Sequence, residues 1–151
     1  MAKQDIRTLT SSELKEAVVG LGGKAFRAKQ IEEWLWTKGA ASFEEMSNLS
    51  KGLRERLDVA FELNRIEVAD QQFSSDGTIK CAFDVRAGQV VEGVLIPTSK
   101  RMTACISSQA GCSLACKFCA TGRLKLLKNL SAGEIYDQVE MIRGMAQEQY
   151  N

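Results

Sequence analysis

Near Asn64 the spacing of apolar residues changes from a helical to an alternating period, and this change divides the chain into two kinds of structure. Before it, Thr10 stands three residues ahead of Glu13, the spacing of a capping box, and Leu14, Val18 and Leu21 follow before Gly22-Gly23 stops the helix. Ile31, Trp34 and Leu35 make a second helical stripe that ends at Gly39. Ser42 with Glu45 opens a short turn, and Ser50 opens a segment carrying Leu53, Leu57 and Phe61. These segments predict a small bundle of short helices over 1–62 that buries Trp34, Leu35 and Trp36.

From 63 to 151 the reading is of strands and one long helix. Ile66, Val68 and Phe73 mark a first strand, and Ser74-Ser75-Asp76-Gly77 a turn. IKCAFDVR (79–86) is a second strand, followed by a turn at Ala87-Gly88-Gln89. VVEGVLIP (90–97) is a third, stopped by Pro97, and MTACISSQ (102–109) a fourth. A cysteine-bearing loop, 110–123, then leads to Ser131 and Glu134, a second capping box, and to a helix whose predicted buried face is Ile135, Val139, Ile142 and Met145. Strand, loop and helix read as one βα unit of an α/β architecture, where ligands bind at the loop beyond the strand's C-terminal end. One such unit cannot close a sheet and leaves its strand with an open edge, so the sequence reads as truncated.

The 44% hydrophobic and 26% charged content sits in the globular range, so a packed core is expected. MAKQDIRTLTSSELKE has no apolar stretch of the signal-peptide kind, and nowhere do 18 apolar residues run together. The expectation is a cytoplasmic protein with no membrane partner. A net charge of +1 predicts nothing about polyanions, but its distribution does. Between Lys100 and Gly133 there is no acid, while Lys100, Arg101, Lys117, Arg123, Lys125 and Lys128 are basic, which suits an anionic ligand or merely a solvated loop.

Three of the five cysteines fall within GCSLACKFCATG, at Cys112, Cys116 and Cys119. Thiolates spaced four and three apart on one loop can converge on one inorganic group. Iron–sulfur clusters usually take four Cys ligands, and three leave one iron open to a substrate or cofactor. A zinc site would need a fourth ligand, usually Cys or His; the chain contains no His, and Cys81 and Cys105 lie in predicted strands. Cluster, zinc and a purely structural trio remain the three readings of the spacing itself.

The surrounding residues carry a resemblance. SSQAGCSLACKFCATG, followed by NLSAGEIYDQV, is similar to the radical S-adenosylmethionine enzymes that methylate adenine C2 in ribosomal and transfer RNA, the dual-specificity RNA methyltransferases. VVEGVLIP and FRAKQIEEWLWTKGAASFEEMSNLSKGLRERL resemble the same family's strand and helical region, so the likeness covers nearly the whole chain. It implies a helical accessory domain that engages RNA (1–62), then a short β-hairpin region and the start of a radical S-adenosylmethionine partial TIM-type barrel (63–151). It also implies a 4Fe–4S cluster on Cys112, Cys116 and Cys119, with S-adenosylmethionine on the open iron. The implied partners are ribosomal RNA, transfer RNA and a flavodoxin-type electron donor.

In that family an enzyme cysteine carries the methyl group, and a second cysteine resolves the protein–RNA crosslink by forming a disulfide with the carrier. Cys105 matches the resolving position and Glu92 the proton acceptor. Strand alternation puts Thr103, Cys105 and Ser107 on one face, from which Cys105 can point into a polar cavity, and a carboxylate inside an apolar strand is a candidate for proton transfer. Phe118, between two cluster ligands, is expected to cover the cofactor's adenine or to shield the cluster. Gly122 permits a tight turn after the last ligand, and Cys81 reads as core packing. No cysteine follows Cys119, so the methyl carrier is missing; the chain is expected to be inactive unless a second chain completes the barrel. Two alternatives stand beside this reading: a non-catalytic RNA-binding module with a vestigial site, and the related adenine-C8 methyltransferase. The helical region balances ten Lys/Arg against nine Asp/Glu through Ala60, so a basic RNA face does not follow from its charge.

Overall fold

The computed structural model describes residues 3–86, 88–114 and 116–150, so Ala87 of the predicted turn and Ala115 of the cysteine loop lie outside the described residues. The chain divides into two compact units, Met1–Arg65 and Ile66–Asn151.

In the first unit the capping signals work as read. Thr10 Oγ1 accepts from the Glu13 amide at 3.3 Å and the Glu13 carboxylate accepts from the Thr10 amide at 2.7 Å, starting α1 (Ser11–Gly20). Gly22 adopts φ 75°, and the amides of Gly22 and Gly23 return to the carbonyls of Val19 and Val18, closing the helix end. Helix α2 (Arg27–Trp36), a 3-10 turn at Phe43–Glu45 and α3 (Lys51–Ala60) complete the bundle. Its core is Ile6, Leu14, Val18, Ile31, Leu35, Phe43, Met46, Leu53 and Leu57 with smaller neighbours. Each such side chain contributes roughly 1.5–3 kcal/mol by leaving water. Of the three residues expected inside, only Leu35 is buried; Trp34 and Trp36 are half-buried at its rim. The Trp34 indole N–H explains its place, since it donates to Asn48 Oδ1 at 2.7 Å, and the Lys38 ammonium lies 4.2 Å from its ring centre.

A short parallel pair, β1 (Gln4–Asp5) with β2 (Phe61–Glu62), ties the start of this unit to the end of α3. Two-residue strands carry no readable period, so the sequence offered no sign of it.

The second unit holds a four-stranded antiparallel meander, β3 (Glu67–Phe73), β4 (Ile79–Asp84), β5 (Val90–Pro97) and β6 (Met102–Cys105), in chain order. Helix α4 (Ala132–Tyr150) covers one face, where Ile79, Cys81, Phe83, Val91 and Leu95 meet Ile142, with Met145 packed alongside. The opposite face carries Lys80, Ala82, Glu92, Val94, Thr103 and Cys105.

Two expectations are corrected here. The fourth strand ends at Cys105 instead of running to Gln109, because Ser107 spends its hydrogen bonds elsewhere. Its hydroxyl donates to the Glu92 carbonyl at 2.7 Å, and its amide donates to Gln138 Oε1 at 2.9 Å. The buried face of α4 is also turned from the one predicted: Val139 is 38% exposed, whereas Asp137 and Gln138 are fully buried beside Ile142. These polar groups go in because backbone partners meet them there; Asp137 Oδ2 accepts from the Ile66 amide at 3.2 Å.

Candidate functional site

The loop between β6 and α4 leaves and returns through one small ladder. Strand β7 (Gln109–Ala110) pairs antiparallel with β8 (Lys128–Asn129), and Gln109 Nε2 donates to Asn129 Oδ1 at 2.7 Å. The Leu127 amide donates to the Ala110 carbonyl and the Leu130 amide to that of Ser108, both at 2.9 Å. Below the ladder the Lys128 ammonium lies 2.5 Å from Glu134 Oε1 and 3.0 Å from the Val85 carbonyl. Glu134 also accepts from the Ser131 amide at 2.8 Å, completing the predicted cap of α4. Burial works against the charged form of Glu134, but Lys128 and the Ser131 amide and hydroxyl outweigh it and hold the carboxyl below the usual carboxylate range.

Inside the loop two glycines set the path. Gly111 has φ 73°, and any Cβ there would run into the Lys125 carbonyl. Gly122 begins no left-handed turn; its constraint is closeness, because a Cβ there would sit 2.7 Å from the Cys116 carbonyl oxygen and 2.8 Å from its nitrogen. Cys116 and Cys119 are joined by a tight turn, with the Cys119 amide donating to the Cys116 carbonyl at 3.3 Å. The Leu114 amide donates to Cys112 Sγ at 3.4 Å.

Cys112, Cys116 and Cys119 are all free and half-buried on this one loop. Three thiols with no competing disulfide suit an iron–sulfur cluster in donor chemistry. The sulfurs are not drawn together: among the described residues no group of three or more His, Cys, Asp or Glu side chains is arranged to hold a metal. The loop thus offers the donors in kind and sequence, without a closed coordination geometry.

Phe118 is 94% exposed and Leu114 77% exposed. Lys117, Arg123 and Lys125 are exposed as well, giving the loop a basic, partly apolar outer surface.

Glu92 and Cys105 share a face of the sheet: Glu92 stands opposite Ala82, and Cys105 opposite Val94. It is the face away from α4. Glu92 is not enclosed by its apolar strand, because Val91, Gly93 and Leu95 point inward and Glu92 points out, 3.2 Å from the Lys80 ammonium. Cys105 is exposed. Cys81 lies on the buried face, its sulfur 3.5 Å from that of Met145, and burial pushes its thiol up, as its reading as core packing requires. Gln138 was not singled out from the sequence; an amide at a predicted helix position gives no sign that it faces inward.

Residues 4–63 match the family model described as the ribosomal RNA large subunit methyltransferase N-terminal domain. The chain is 53% identical over 98% of its length to a probable dual-specificity RNA methyltransferase RlmN of Cytophaga hutchinsonii, of which it covers 40%. It is 47% identical over 89% of its length to the dual-specificity RNA methyltransferase RlmN of Anaeromyxobacter dehalogenans, of which it covers 36%. The fold matches the crystal structure of a radical SAM methyltransferase from Sphaerobacter thermophilus with a TM-score of 0.82 and 36% identity, over 98% of this chain and 44% of that one. The chain therefore spans about 40% of the length of the curated relatives it matches. Along nearly all of its own length, in sequence and in fold, this chain is similar to the dual-specificity RNA methyltransferases.

Proposed function

We propose that the chain is the portion of a radical S-adenosylmethionine enzyme that carries the cluster loop, in a protein that methylates adenine C2 of ribosomal and transfer RNA. The observation that carries this is the loop itself: three free, half-buried thiols at the family's spacing, pinned at both ends by β7 and β8. Cys112, Cys116 and Cys119 would hold a 4Fe–4S cluster, and Phe118 would lie against the bound S-adenosylmethionine. When bound there and reduced by a flavodoxin-type donor, the cluster and cofactor would supply the radical chemistry that activates the methyl group. The Glu92 carboxylate would accept a proton from the methylated adenine, with the Lys80 ammonium, diagonally across on β4, 3.2 Å from its Oε1. Cys105, exposed on the same face, provides the thiol that releases the RNA adduct. In this reading its disulfide partner is the methyl-carrying cysteine.

In this reading residues 1–62 engage RNA, residues 63–151 begin a partial TIM-type barrel around the loop 110–123, and the protein works in the cytoplasm. No helix among the described residues is long and apolar enough to cross a membrane. The alternative reading is a non-catalytic RNA-binding module with a vestigial site.

Anaerobic reconstitution with iron and sulfide, followed by reduction and S-adenosylmethionine, separates the two. Release of 5′-deoxyadenosine supports the enzyme; a chain that binds RNA but takes up no iron supports the module. Stoichiometric zinc after growth in iron-replete medium would overturn both.

A further inference from the structure

We infer that Gln138 is a positioning residue for the cysteine loop, acting through the backbone of Ser107. Gln138 is fully buried on α4, and its carboxamide treats Ser107 as a neighbouring strand would. Oε1 accepts from the Ser107 amide at 2.9 Å, and Nε2 donates to the Ser107 carbonyl at 2.9 Å and to the Glu134 carbonyl at 3.1 Å. Both backbone groups of one residue are thus matched by a single side chain, the pattern of a hydrogen-bonded antiparallel pair.

Ser107 occupies the point where this matters. It lies two residues after Cys105, where β6 ends, and two before Gln109, where the ladder below the cysteines begins. Its hydroxyl holds the Glu92 carbonyl at 2.7 Å on the other side. One peptide therefore joins α4, the strand of Glu92, the strand of Cys105 and the root of the loop. Without Gln138, the Ser107 amide and carbonyl would be left buried or half-buried without partners, and the chain from Ile106 to Ser108 would have to move to find water. The loop would then lose its fixed height above the sheet, and the three cysteines their fixed distance from Cys105. The assignment rests on the cysteine loop being the working site, but the clamp itself can be tested without any cofactor.

The test uses Gln138→Met, which keeps the length of the side chain and removes both polar atoms, with the exposed Gln147→Met on the same helix as control. Alkylation of each cysteine is followed by mass spectrometry in the metal-free chain, together with hydrogen exchange at the Ser107 amide. Cys81, fully buried on the far face, reports whether the core stays closed.

In Gln138→Met, Cys81 should remain protected while Ser107 exchange speeds up about tenfold, the equivalent of one lost buried hydrogen bond. Cys112, Cys116 and Cys119 should alkylate several-fold faster, and Gln147→Met should change neither. Unaltered loop alkylation with Cys81 still protected would overturn the proposal. Should Met open the core, Gln138→Glu keeps the shape and one acceptor and is read against wild type in the same way, with the same two outcomes. Iron retention after reconstitution is measured last. A wild-type chain that takes no iron, with the clamp effect intact, defeats the cluster reading alone; equal iron and equal loop reactivity in wild type and variant defeat the clamp alone.

Discussion

Replacing Gly122 by Ala adds a single methyl group at the most crowded point of the cysteine loop. That methyl carbon would stand 2.7 Å from the Cys116 carbonyl oxygen and 2.8 Å from its nitrogen, well inside van der Waals contact. The obstacle is backbone, so no rotamer change relieves it; either the 3-10 turn at Thr121–Arg123 or Cys116 must shift. Overpacking of this kind costs about 1–3 kcal/mol. If the whole second unit bore that cost, melting would fall by roughly 4–8 °C per kcal/mol for a domain of its size. If the loop gives way instead, melting holds and the cost appears as faster alkylation of Cys116. Gly144→Ala on α4 is the matched control, since nothing lies within 4 Å of its added Cβ, and there the substitution should stabilise by about 0.5–1 kcal/mol. The assay is calorimetry with thiol mapping on both variants. Gly122→Ala with unchanged melting and unchanged Cys116 reactivity would show that the close approach does not shape the loop.

Three further outcomes follow from the same geometry. Glu134 is held below its ordinary carboxylate value, so its contribution is in full above the unfolded value of about 4.3 and is lost as pH falls through the folded one; acid unfolding of Glu134→Gln should show a shallower slope below about pH 4.3 than wild type, and equal slopes would remove Glu134 from the account. Leu57→Ala, at a fully buried position of the helical core, should cost about 2–5 kcal/mol in urea denaturation followed by tryptophan fluorescence, whereas Val59→Ala, 74% exposed, should stay within about 0.5 kcal/mol. Cys81→Ala should leave iron uptake unchanged in the reconstituted chain, and a drop would mean that this buried thiol is more than packing.

Much of this fold could be read because the relevant signals are local. Thr10 with Glu13 and Ser131 with Glu134 announce their helices within four residues, and the alternation of β4 and β5 announces which side is wet. Where alternation and composition disagreed, alternation was the better guide: Glu92 sits among apolar neighbours in sequence yet points outward with Lys80. What escaped the sequence depends on long-range partners. Ser107 continues the β pattern of β6, and only Gln138, 31 residues further on in α4, takes it out of the ladder. Val139 fits the helical stripe as well as Ile142 does; buried Asp137, which receives the Ile66 amide, turns the helix by about one position. The three loop cysteines stand out as a set by their spacing alone, but spacing says nothing of how near their sulfurs stand.

The ladder of Gln109–Ala110 with Lys128–Asn129 brings the two ends of the loop side by side. Closing a loop costs conformational entropy, and here folding of the sheet and α4 meets that cost before any ligand arrives. Whatever gathers the three thiols has only the short stretch between the two strands to order. Affinity for such a ligand should therefore respond to residues that never touch it, Asn129 and Lys128 among them, because loosening either rung transfers the closure cost back to the binding step.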